Sequence, residues 1–335
     1  MESQLVLGIE TSCDETAAAV VESGRTIRAN VIASQIDLHQ RFGGVVPEIA
    51  SRRHVELILP VVDRALQEAG ASLDDLFGIA VTQGPGLVGS LLVGISAAKA
   101  LAFARGLPLV GVNHLEGHIC ANFLAHPDLD TPLVCLTVSG GHTALVYVPR
   151  PGEYEVMGTT RDDAAGEAFD KIARVLGLGY PGGAAIDRLA RGRDPGAIPL
   201  PRAMAGEGYE FSFSGLKTAA LQFLERARRE GRKVDIGEFA AAFQEAIVDV
   251  LVEKALRAAR EKRVSRLVLS GGVAANSRLR ERLARQGAAL GLDVRWPPLE
   301  LCTDNGAMIA AAGYFRLKAG ERAPLSLNAE PALRL

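Results

Sequence analysis

The fold expected of this chain is decided by two nearly identical stretches, Leu136-Thr-Val-Ser139-Gly140-Gly141-His142 and Leu267-Val-Leu-Ser270-Gly271-Gly272-Val273. Each is an apolar run typical of a buried strand, and each ends in Ser-Gly-Gly. Glycines at the end of a strand leave backbone N–H groups bare and let an anionic ligand approach the chain closely. One copy alone is more often an ordinary tight turn. Two copies, each after a strand, favour two halves of the protein that close on one anionic ligand, a nucleotide.

The composition indicates a soluble globular protein of two domains. The chain has 335 residues, of which 48% are hydrophobic and 23% charged, and its net charge is −2. A net charge so close to zero gives no global field that would draw the chain to nucleic acid or to a membrane, although it is compatible with a local basic patch. The apolar stretch Leu87–Ala104 contains Ser90 and Lys99 and predicts a buried helix rather than a membrane span.

Two further features of the sequence favour the cytosol. The N-terminus has neither the basic segment nor the cleavage site of a secretory signal. The four cysteines form no CxxC pair, which in a chain of this length favours reduced thiols in the cytosol. We therefore expect a cytoplasmic protein that does not enter a membrane.

Hydrophobic periodicity predicts an α/β protein of two related lobes. In the first half we expect a hairpin of strands 5–9 and 17–21, helices over 47–69 and 88–105, and strands at 79–82 and 108–112. In the second half we expect strands at 133–138, 144–148 and 266–269, and helices over 163–176, 215–229, 236–262, 274–290 and 305–318. We place the N-terminal lobe at 1–112, with the closing helix 305–320 packed back on it. The C-terminal lobe is placed at 113–304, with a helical insertion at about 150–262.

Two histidines give the second strong signal. His114 and His118 are four residues apart, so on a helix they lie on one face and suit one metal ion. A pair of surface or capping histidines is the ordinary alternative. Asp304 is a good candidate for a third ligand, although Thr303 or Asp304 fits equally well as the N-cap of the helix that follows. Two imidazoles and one carboxylate suit Fe²⁺, Zn²⁺ or Mn²⁺.

The histidine pair does not form the HExxH motif of zinc peptidases. In that motif the glutamate follows the first histidine directly, and here Leu115 stands in its place. Glu116 is about 200° around a regular helix from His114, so it is expected to point away from the metal.

Other polar residues have both a functional and an ordinary interpretation. Asp14 lies in the turn of the first hairpin, where aspartate is common. Asp170 and Asp187 flank a glycine-rich break and suit the hydroxyls of a ribose, but each also fits a solvated helix face. Asn276 either caps a helix or contacts an adenine. Lys217 has no clear role, and two arginine-rich clusters, at 226–233 and 278–285, are interpreted as solvated faces.

Several motifs occur in an order that resembles a known family. They are Gly8-Ile-Glu-Thr-Ser-Cys-Asp-Glu-Thr16, Gly43-Gly-Val-Val-Pro-Glu48, Gly84-Pro-Gly-Leu87, His114-Leu-Glu-Gly-His118, Val138-Ser-Gly-Gly-His142, Phe211-Ser-Phe-Ser-Gly-Leu-Lys217, Ser270-Gly-Gly-Val-Ala-Ala-Asn276 and Thr303-Asp-Asn-Gly306. From Leu5 to about Lys318 the chain resembles the bacterial tRNA N6-adenosine threonylcarbamoyltransferases, formerly described as O-sialoglycoprotein endopeptidases. We see no departure from the family pattern at a functional position.

The resemblance implies a fold of the actin/Hsp70/sugar-kinase type, with two ribonuclease-H-like lobes and a cleft between them. It implies transfer of a threonylcarbamoyl group from threonylcarbamoyl-adenylate to N6 of adenosine 37, in tRNAs reading codons that begin with A. An inactive paralogous subunit and a P-loop ATPase subunit are the implied partners. Site residues carried over from the family are His114, His118 and Asp304 for an iron-like divalent metal, Asp14 for activity, and Thr137, Val138, Ser139, Gly140, Gly141, Asp170, Gly183, Asp187 and Asn276 for the adenylate.

Two alternatives remain at this stage. A zinc endopeptidase would use the histidine pair but lacks a glutamate in place of Leu115. An ATP-driven switch protein of the Hsp70 type would use the twin loops but leaves the histidine pair unexplained.

Overall fold

A computed structural model describes residues 4–196 and 198–335 of the chain. The strands and helices, in chain order, are β1 (Leu5–Glu10), β2 (Glu15–Glu22), β3 (Thr26–Ser34), α1 (Ile36–Gln40), α2 (Pro47–Ala69), β4 (Leu76–Gly84), α3 (Val88–Arg105), β5 (Leu109–Asn113), α4 (His114–Ala125), β6 (Leu133–Val138), β7 (Thr143–Arg150), β8 (Glu153–Thr159), α5 (Ala165–Val175), α6 (Gly182–Ala190), α7 (Ser214–Arg229), α8 (Ile236–Glu261), β9 (Arg266–Ser270), α9 (Ser277–Ala289), β10 (Asp293–Arg295), α10 (Leu299–Cys302) and α11 (Gly306–Lys318).

The chain divides into two compact units, each with its own sheet. Unit 1 comprises Met1–Asp130, Arg150–Glu153 and Pro297–Leu335, and unit 2 comprises Thr131–Pro149 and Tyr154–Trp296. The division therefore falls after residue 130, whereas the sequence suggested residue 112. The reason is helix α4, which packs against α11 of unit 1.

The sheet of unit 1 has the strand order β3-β2-β1-β4-β5. Strand β1 is antiparallel to β2 and parallel to β4, which in turn is parallel to β5. Leu7 and Ile9 of β1 belong to the apolar core that includes residues of α2 and α3. Gly8, between them, meets the backbone of α11. Because successive residues of a strand face opposite sides, α11 covers the other face of the sheet.

The sheet of unit 2 repeats this topology. Its order is β10-β9-β6-β7-β8, with β6 antiparallel to β7 and parallel to β9. In each unit the first strand is antiparallel to the second strand on one side and parallel to the fourth strand on its other side. The two related lobes predicted from pattern alone are therefore confirmed by strand order.

The sequence analysis gave no range for three strands, β3, β8 and β10, or for four helices, α1, α4, α6 and α10. Strand β3 lies at the sheet edge and mixes buried and exposed positions, and β10 has three residues, so neither gives a clear periodic signal. Strand β8 (Glu153–Thr159) joins the sheet of unit 2. The stretch at 150–262 therefore begins with a sheet strand, and helices α5, α6, α7 and α8 follow it.

Within the described residues, helix α3 alone is long and apolar enough to cross a membrane by length and composition. It packs against α2 and β4 through a buried face that includes Leu91, Ile95 and Ala98. The sequence predicted a buried helix here, but only one face is covered. Val88 and Phe103 are 55% and 75% exposed.

Candidate functional site

The two histidines stand where helix α4 begins. Asn113 ends β5 and caps the helix, because its side chain accepts a hydrogen bond from the Leu115 backbone N–H at 2.9 Å. His114 and His118 are 6% and 1% exposed, and their ring centroids lie 4.7 Å apart. The helical spacing predicted for this pair is confirmed, and both rings are buried rather than on the surface.

Asp304 joins the histidines from the segment that precedes α11. Its Oδ1 lies 3.4 Å from Nε2 of His114 and 3.2 Å from Nε2 of His118. The N-cap of α11 is Asn305, whose side chain accepts from the Met308 backbone N–H at 2.9 Å. Capping is therefore done by the neighbouring residue, and the carboxylate of Asp304 faces the histidines.

Three glycines allow this convergence. A Cβ on Gly306 would lie 2.6 Å from backbone atoms of Ala18 and Ala19 in β2. A Cβ on Gly8 would lie 2.8 Å from Cα of Ala310, and one on Gly117 would lie 2.8 Å from the Ile309 side chain. Helix α11 therefore sits closer to the sheet and to α4 than any side chain would permit, and Asp304 is carried to the histidines with it.

The donor set fits a divalent transition metal. One ligand atom from each of His114, His118 and Asp304 lies within 4.8 Å of the others. Ligands that share an ion at about 2.0–2.2 Å are separated by about 3.0–3.5 Å, close to the distances observed. Within the described residues neither ring nitrogen of His118 makes a hydrogen bond of acceptable geometry, although both are buried. A metal ion would satisfy its Nε2.

The charges of this cluster are strongly coupled. Burial alone would raise the pKa of Asp304, but the neighbouring imidazoles of His114 and His118 hold it well below its usual value. Burial alone would lower the pKa of His114, but Asp304 and Glu10 raise it well above its usual value. A cation is therefore favoured at this position, either as a proton on the imidazole or as a metal.

Sequence reasoning missed Glu10, the last residue of β1. It is fully buried, and its Oε2 lies 3.0 Å from Nδ1 of His114. Burial alone would raise the pKa of Glu10, but the charge and hydrogen bond of His114 bring it below its usual value. A glutamate in the last position of a buried apolar strand could have been noticed in the sequence. An unpaired charge is costly there, so such a residue is expected to have a polar partner.

The turn between β1 and β2 carries Asp14, which is 6% exposed. His54 of α2 holds this turn. Its Nε2 lies 2.9 Å from the Cys13 carbonyl oxygen and its Nδ1 lies 2.7 Å from Oγ1 of Thr16. Burial, together with the charges of Asp304 and Asp14, raises the pKa of Glu15 to about 9.

Glu116 points away from the histidines, as predicted. Oε2 accepts from Arg316 of α11, at 2.8 Å from Nε and 2.7 Å from Nη2. The side chain of Glu116 is fully buried. A carboxylate held in this way is not placed to activate a metal-bound water, which weakens the peptidase interpretation.

The two Ser-Gly-Gly loops both lie in unit 2, and the expectation that they come from two halves of the protein is wrong. They follow β6 and β9, which are adjacent parallel strands with Thr137 opposite Ser270. A Cβ on Gly271 would lie 2.8 Å from the Val138 carbonyl carbon, so the loops are in contact. Strand periodicity identifies the end of a strand but does not say which sheet the strand joins.

These loops present bare backbone. No hydrogen bond of the described residues uses the N–H of Gly140 or Gly141, and a Cβ on either would meet nothing within 4 Å. Neither Gly140 nor Gly141 has a left-handed φ. Among the four glycines of the two loops, Gly271 has one, at +83°. Gly166 lets the N-terminus of α5 lie against the loop that follows β6, since a Cβ at Gly166 would lie 2.8 Å from Cα of Gly140. Bare N–H groups beside a helix N-terminus suit a phosphate.

The remaining predicted adenylate residues are in unit 2, and several also hold the local structure. Asp170 accepts from the Gly182 N–H at 2.7 Å, at the start of α6. Asp187 accepts from the Ser277 hydroxyl at 2.7 Å. Asn276 caps α9 through the Leu279 N–H at 2.9 Å, so of its two interpretations the cap is observed.

Several arginines of the two basic clusters form ion pairs. Arg278 and Arg282 pair with Glu245 of α8, and Arg229 pairs with Glu225. Lys217, for which the sequence gave no role, pairs with Asp163 at 2.7 Å. These contacts agree with the interpretation of the two arginine-rich clusters as solvated helix faces, and they give Lys217 a structural role.

Solved structures of low sequence identity share the fold. HypF from T. kodakarensis matches with a TM-score of 0.64 over 95% of this chain and 48% of its own, at 15% identity. Component A of (R)-2-hydroxyglutaryl-CoA dehydratase from Acidaminococcus fermentans matches with a TM-score of 0.56 over 95% of this chain and 100% of its own, at 15% identity. The fold is of the actin/Hsp70/sugar-kinase type.

Sequence comparisons agree with one another. The family model described as tRNA N6-adenosine threonylcarbamoyltransferase matches residues 26–311. A protein of that name from Symbiobacterium thermophilum is 58% identical over 99% of this chain and 97% of its own length. One from Clostridium botulinum is 54% identical over 100% of this chain and 98% of its own. The chain belongs to the tRNA N6-adenosine threonylcarbamoyltransferase family.

Proposed function

We propose that this protein transfers a threonylcarbamoyl group from threonylcarbamoyl-adenylate to N6 of adenosine 37, in tRNAs that read codons beginning with A. The observation that carries the proposal is the convergence of His114, His118 and Asp304 in a member of the family. Its action on tRNA is in keeping with a cytoplasmic protein.

The chemistry requires an activated carbonyl, because the amine of adenine is a poor nucleophile. In the adenylate the carbamoyl carbon is joined to the phosphate of AMP, which is a good leaving group. The lone pair of N6 attacks this carbon, the C–O bond to AMP breaks, and AMP leaves with the bonding pair. The proton released from N6 goes to a base, and we assign that role to Asp14 in the β1–β2 turn.

We assign His114, His118 and Asp304 to a divalent metal, Fe²⁺ in preference to Zn²⁺ or Mn²⁺. When bound there, the metal supplies positive charge toward the phosphate or the threonyl carboxylate of the adenylate. The bare N–H groups of Gly140 and Gly141 suit the oxyanion or phosphate. Thr137, Val138, Ser139, Asp170, Gly183, Asp187 and Asn276 are assigned to the rest of the adenylate.

We also propose two partner subunits, an inactive paralogue and a P-loop ATPase. Unit 1 exposes large apolar side chains on two helices that pack together, α2 and α3. Val55 and Leu59 of α2 are 65% and 62% exposed, and Val88 and Leu92 of α3 are 55% and 41% exposed. An apolar surface of this kind supports a protein partner.

The test is transfer to unmodified tRNA, with purified protein, partner subunits and synthetic adenylate, read by mass spectrometry of the nucleosides. Wild-type protein is expected to form the modified adenosine, and His118→Ala and Asp14→Ala to lose it. Glu116→Gln is the matched control on the same helix and should retain transfer. Cleavage of glycoproteins by highly purified wild type, lost in Glu116→Gln, would instead establish a peptidase.

A further inference from the structure

Glu10 is held by groups that all donate hydrogen bonds to it. Its Oε1 accepts from the Ser12 backbone N–H, and its Oε2 accepts from Oγ1 of Thr82 at 2.6 Å. The third contact is Nδ1 of His114, 3.0 Å from Oε2. Since an ionised carboxylate only accepts, Nδ1 of His114 must carry a hydrogen.

That hydrogen decides the state of the other ring nitrogen. In a neutral imidazole with Nδ1 protonated, Nε2 holds a lone pair. The Nε2 of His114 is the atom that lies 3.4 Å from Asp304 Oδ1, at the candidate metal position. A carboxylate behind a metal-binding histidine sets both the tautomer and the ring orientation.

We propose that Glu10 is a positioning residue that fixes His114 with Nδ1 protonated, so that the lone pair of Nε2 is directed at the metal. The inference rests on the proposed function for the metal site itself and adds a residue to it. Thr82 and the backbone N–H of Ser12 hold the carboxylate of Glu10 in place. The Ser12 hydroxyl also lies 3.2 Å from Nδ1 of His114, slightly farther than Glu10 Oε2.

The two histidines differ in this respect. Within the described residues Nδ1 of His118 is buried and makes no hydrogen bond. The carboxylate of Glu10 therefore orients one imidazole of the pair. His114 is the first residue of α4 and has this contact at Nδ1, whereas His118 lies one turn further inside the helix.

A glutamine at position 10 would keep the volume but reverse the hydrogen bonding. If the amide oxygen faces the Ser12 N–H, the amide NH₂ faces Nδ1 of His114 and favours the tautomer with Nε2 protonated. That tautomer has no lone pair for the metal. If the amide is turned round, its NH₂ meets the Ser12 N–H, which also donates. A carboxylate is thus the side chain that satisfies all three contacts.

The experiment measures Zn²⁺ affinity of the full chain by competition with a chelating dye. Glu10→Gln is expected to raise the Kd for Zn²⁺ by about 10–100-fold, the usual effect of losing a group behind a ligand. Glu116→Gln is the matched control, since Glu116 is equally buried but pairs with Arg316. Its Kd should equal that of wild type. Should Glu10→Gln fail to fold, Glu10→Asp replaces it, because the shorter carboxylate withdraws from His114.

A second readout follows the proton itself. In ¹⁵N-labelled, metal-free protein at a pH that leaves His114 neutral, the hydrogen should be on Nδ1 in wild type and on Nε2 in Glu10→Gln. A Zn²⁺ affinity of Glu10→Gln within twofold of wild type, or an unchanged tautomer, would overturn the inference. Failure of the proposed metal site is distinguishable, because wild type itself would then bind no Zn²⁺ and His118→Ala would change nothing.

Discussion

Replacing Gly306 by alanine tests whether the close approach of α11 to the sheet builds the metal centre. A Cβ there would lie 2.6 Å from the Ala18 carbonyl carbon and the Ala19 nitrogen, and 2.8 Å from Cα of Ala18. All three atoms belong to the backbone of strand β2, so no side chain can rotate away. Relief to a separation of 3.0 Å requires a shift of at least 0.4 Å, and ordinary contact requires more.

The expected cost follows from that geometry. Overpacking of this kind costs about 1–3 kcal/mol, and a backbone obstacle places Gly306→Ala at the upper end. At about 2–4 °C per kcal/mol, the melting temperature should fall by about 5–10 °C. Asp304 lies two residues before the substitution, and metal sites tolerate errors of only about 0.2 Å in ligand distance. The Kd for Zn²⁺ should therefore rise by about tenfold or more.

Gly215→Ala provides the matched control. Gly215 is also at the start of a helix, α7, but a Cβ there would meet nothing within 4 Å. Since alanine is the better helix former by up to about 1 kcal/mol, this variant should be as stable as wild type or more so. Differential scanning calorimetry and Zn²⁺ titration are performed on both. Equal melting temperatures and equal Zn²⁺ affinities for Gly306→Ala and wild type would refute the reasoning.

Three further variants test other parts of the site. His118→Ala should lose most bound metal by elemental analysis while Glu116→Gln keeps it, and equal metal content in the two would contradict the ligand assignment. Gly141→Val should weaken binding of an ATP analogue about tenfold or more in calorimetry, by occlusion alone since its φ is not left-handed; unchanged affinity would remove this loop from the nucleotide site. Burial lowers the pKa of His54, so the unfolded chain takes up a proton first as the pH falls. The stabilisation given by His54 should be complete above about pH 6.5 and decline below it. Urea unfolding of wild type and His54→Gln should therefore differ more at pH 7.5 than at pH 5.5, and a constant difference would contradict this.

Local chemistry explains why much of the fold could be read from the sequence. Helix α2 begins at Pro47 and ends before Gly70, which has a φ of +63°, and α3 ends before Gly106 at +62°. Both signals act within a few residues, so no knowledge of tertiary structure is needed. The same holds for His114 and His118, whose spacing on one helix is fixed by its period.

Contacts between distant residues could not be read in this way. Glu10 lies 104 residues before His114, and nothing in the local pattern joins them. Asp304 was a candidate ligand from the sequence, but an N-cap was equally favoured there, and the family resemblance gave the preference for a ligand. The twin Ser-Gly-Gly loops misled for the same reason, because the pairing of β6 with β9 depends on the topology of the sheet.

The repeated topology allows the corresponding turns of the two units to be compared. The β1–β2 turn of unit 1 and the β6–β7 turn of unit 2 join equivalent strands of two sheets with the same order. The first turn carries Asp14 and is flanked by Glu10 and Glu15, while the second carries Ser139, Gly140 and Gly141. Carboxylates attract a cation and accept a proton, whereas bare N–H groups attract a phosphate. One backbone scaffold thus provides opposite electrostatics through the residues in and beside its turns.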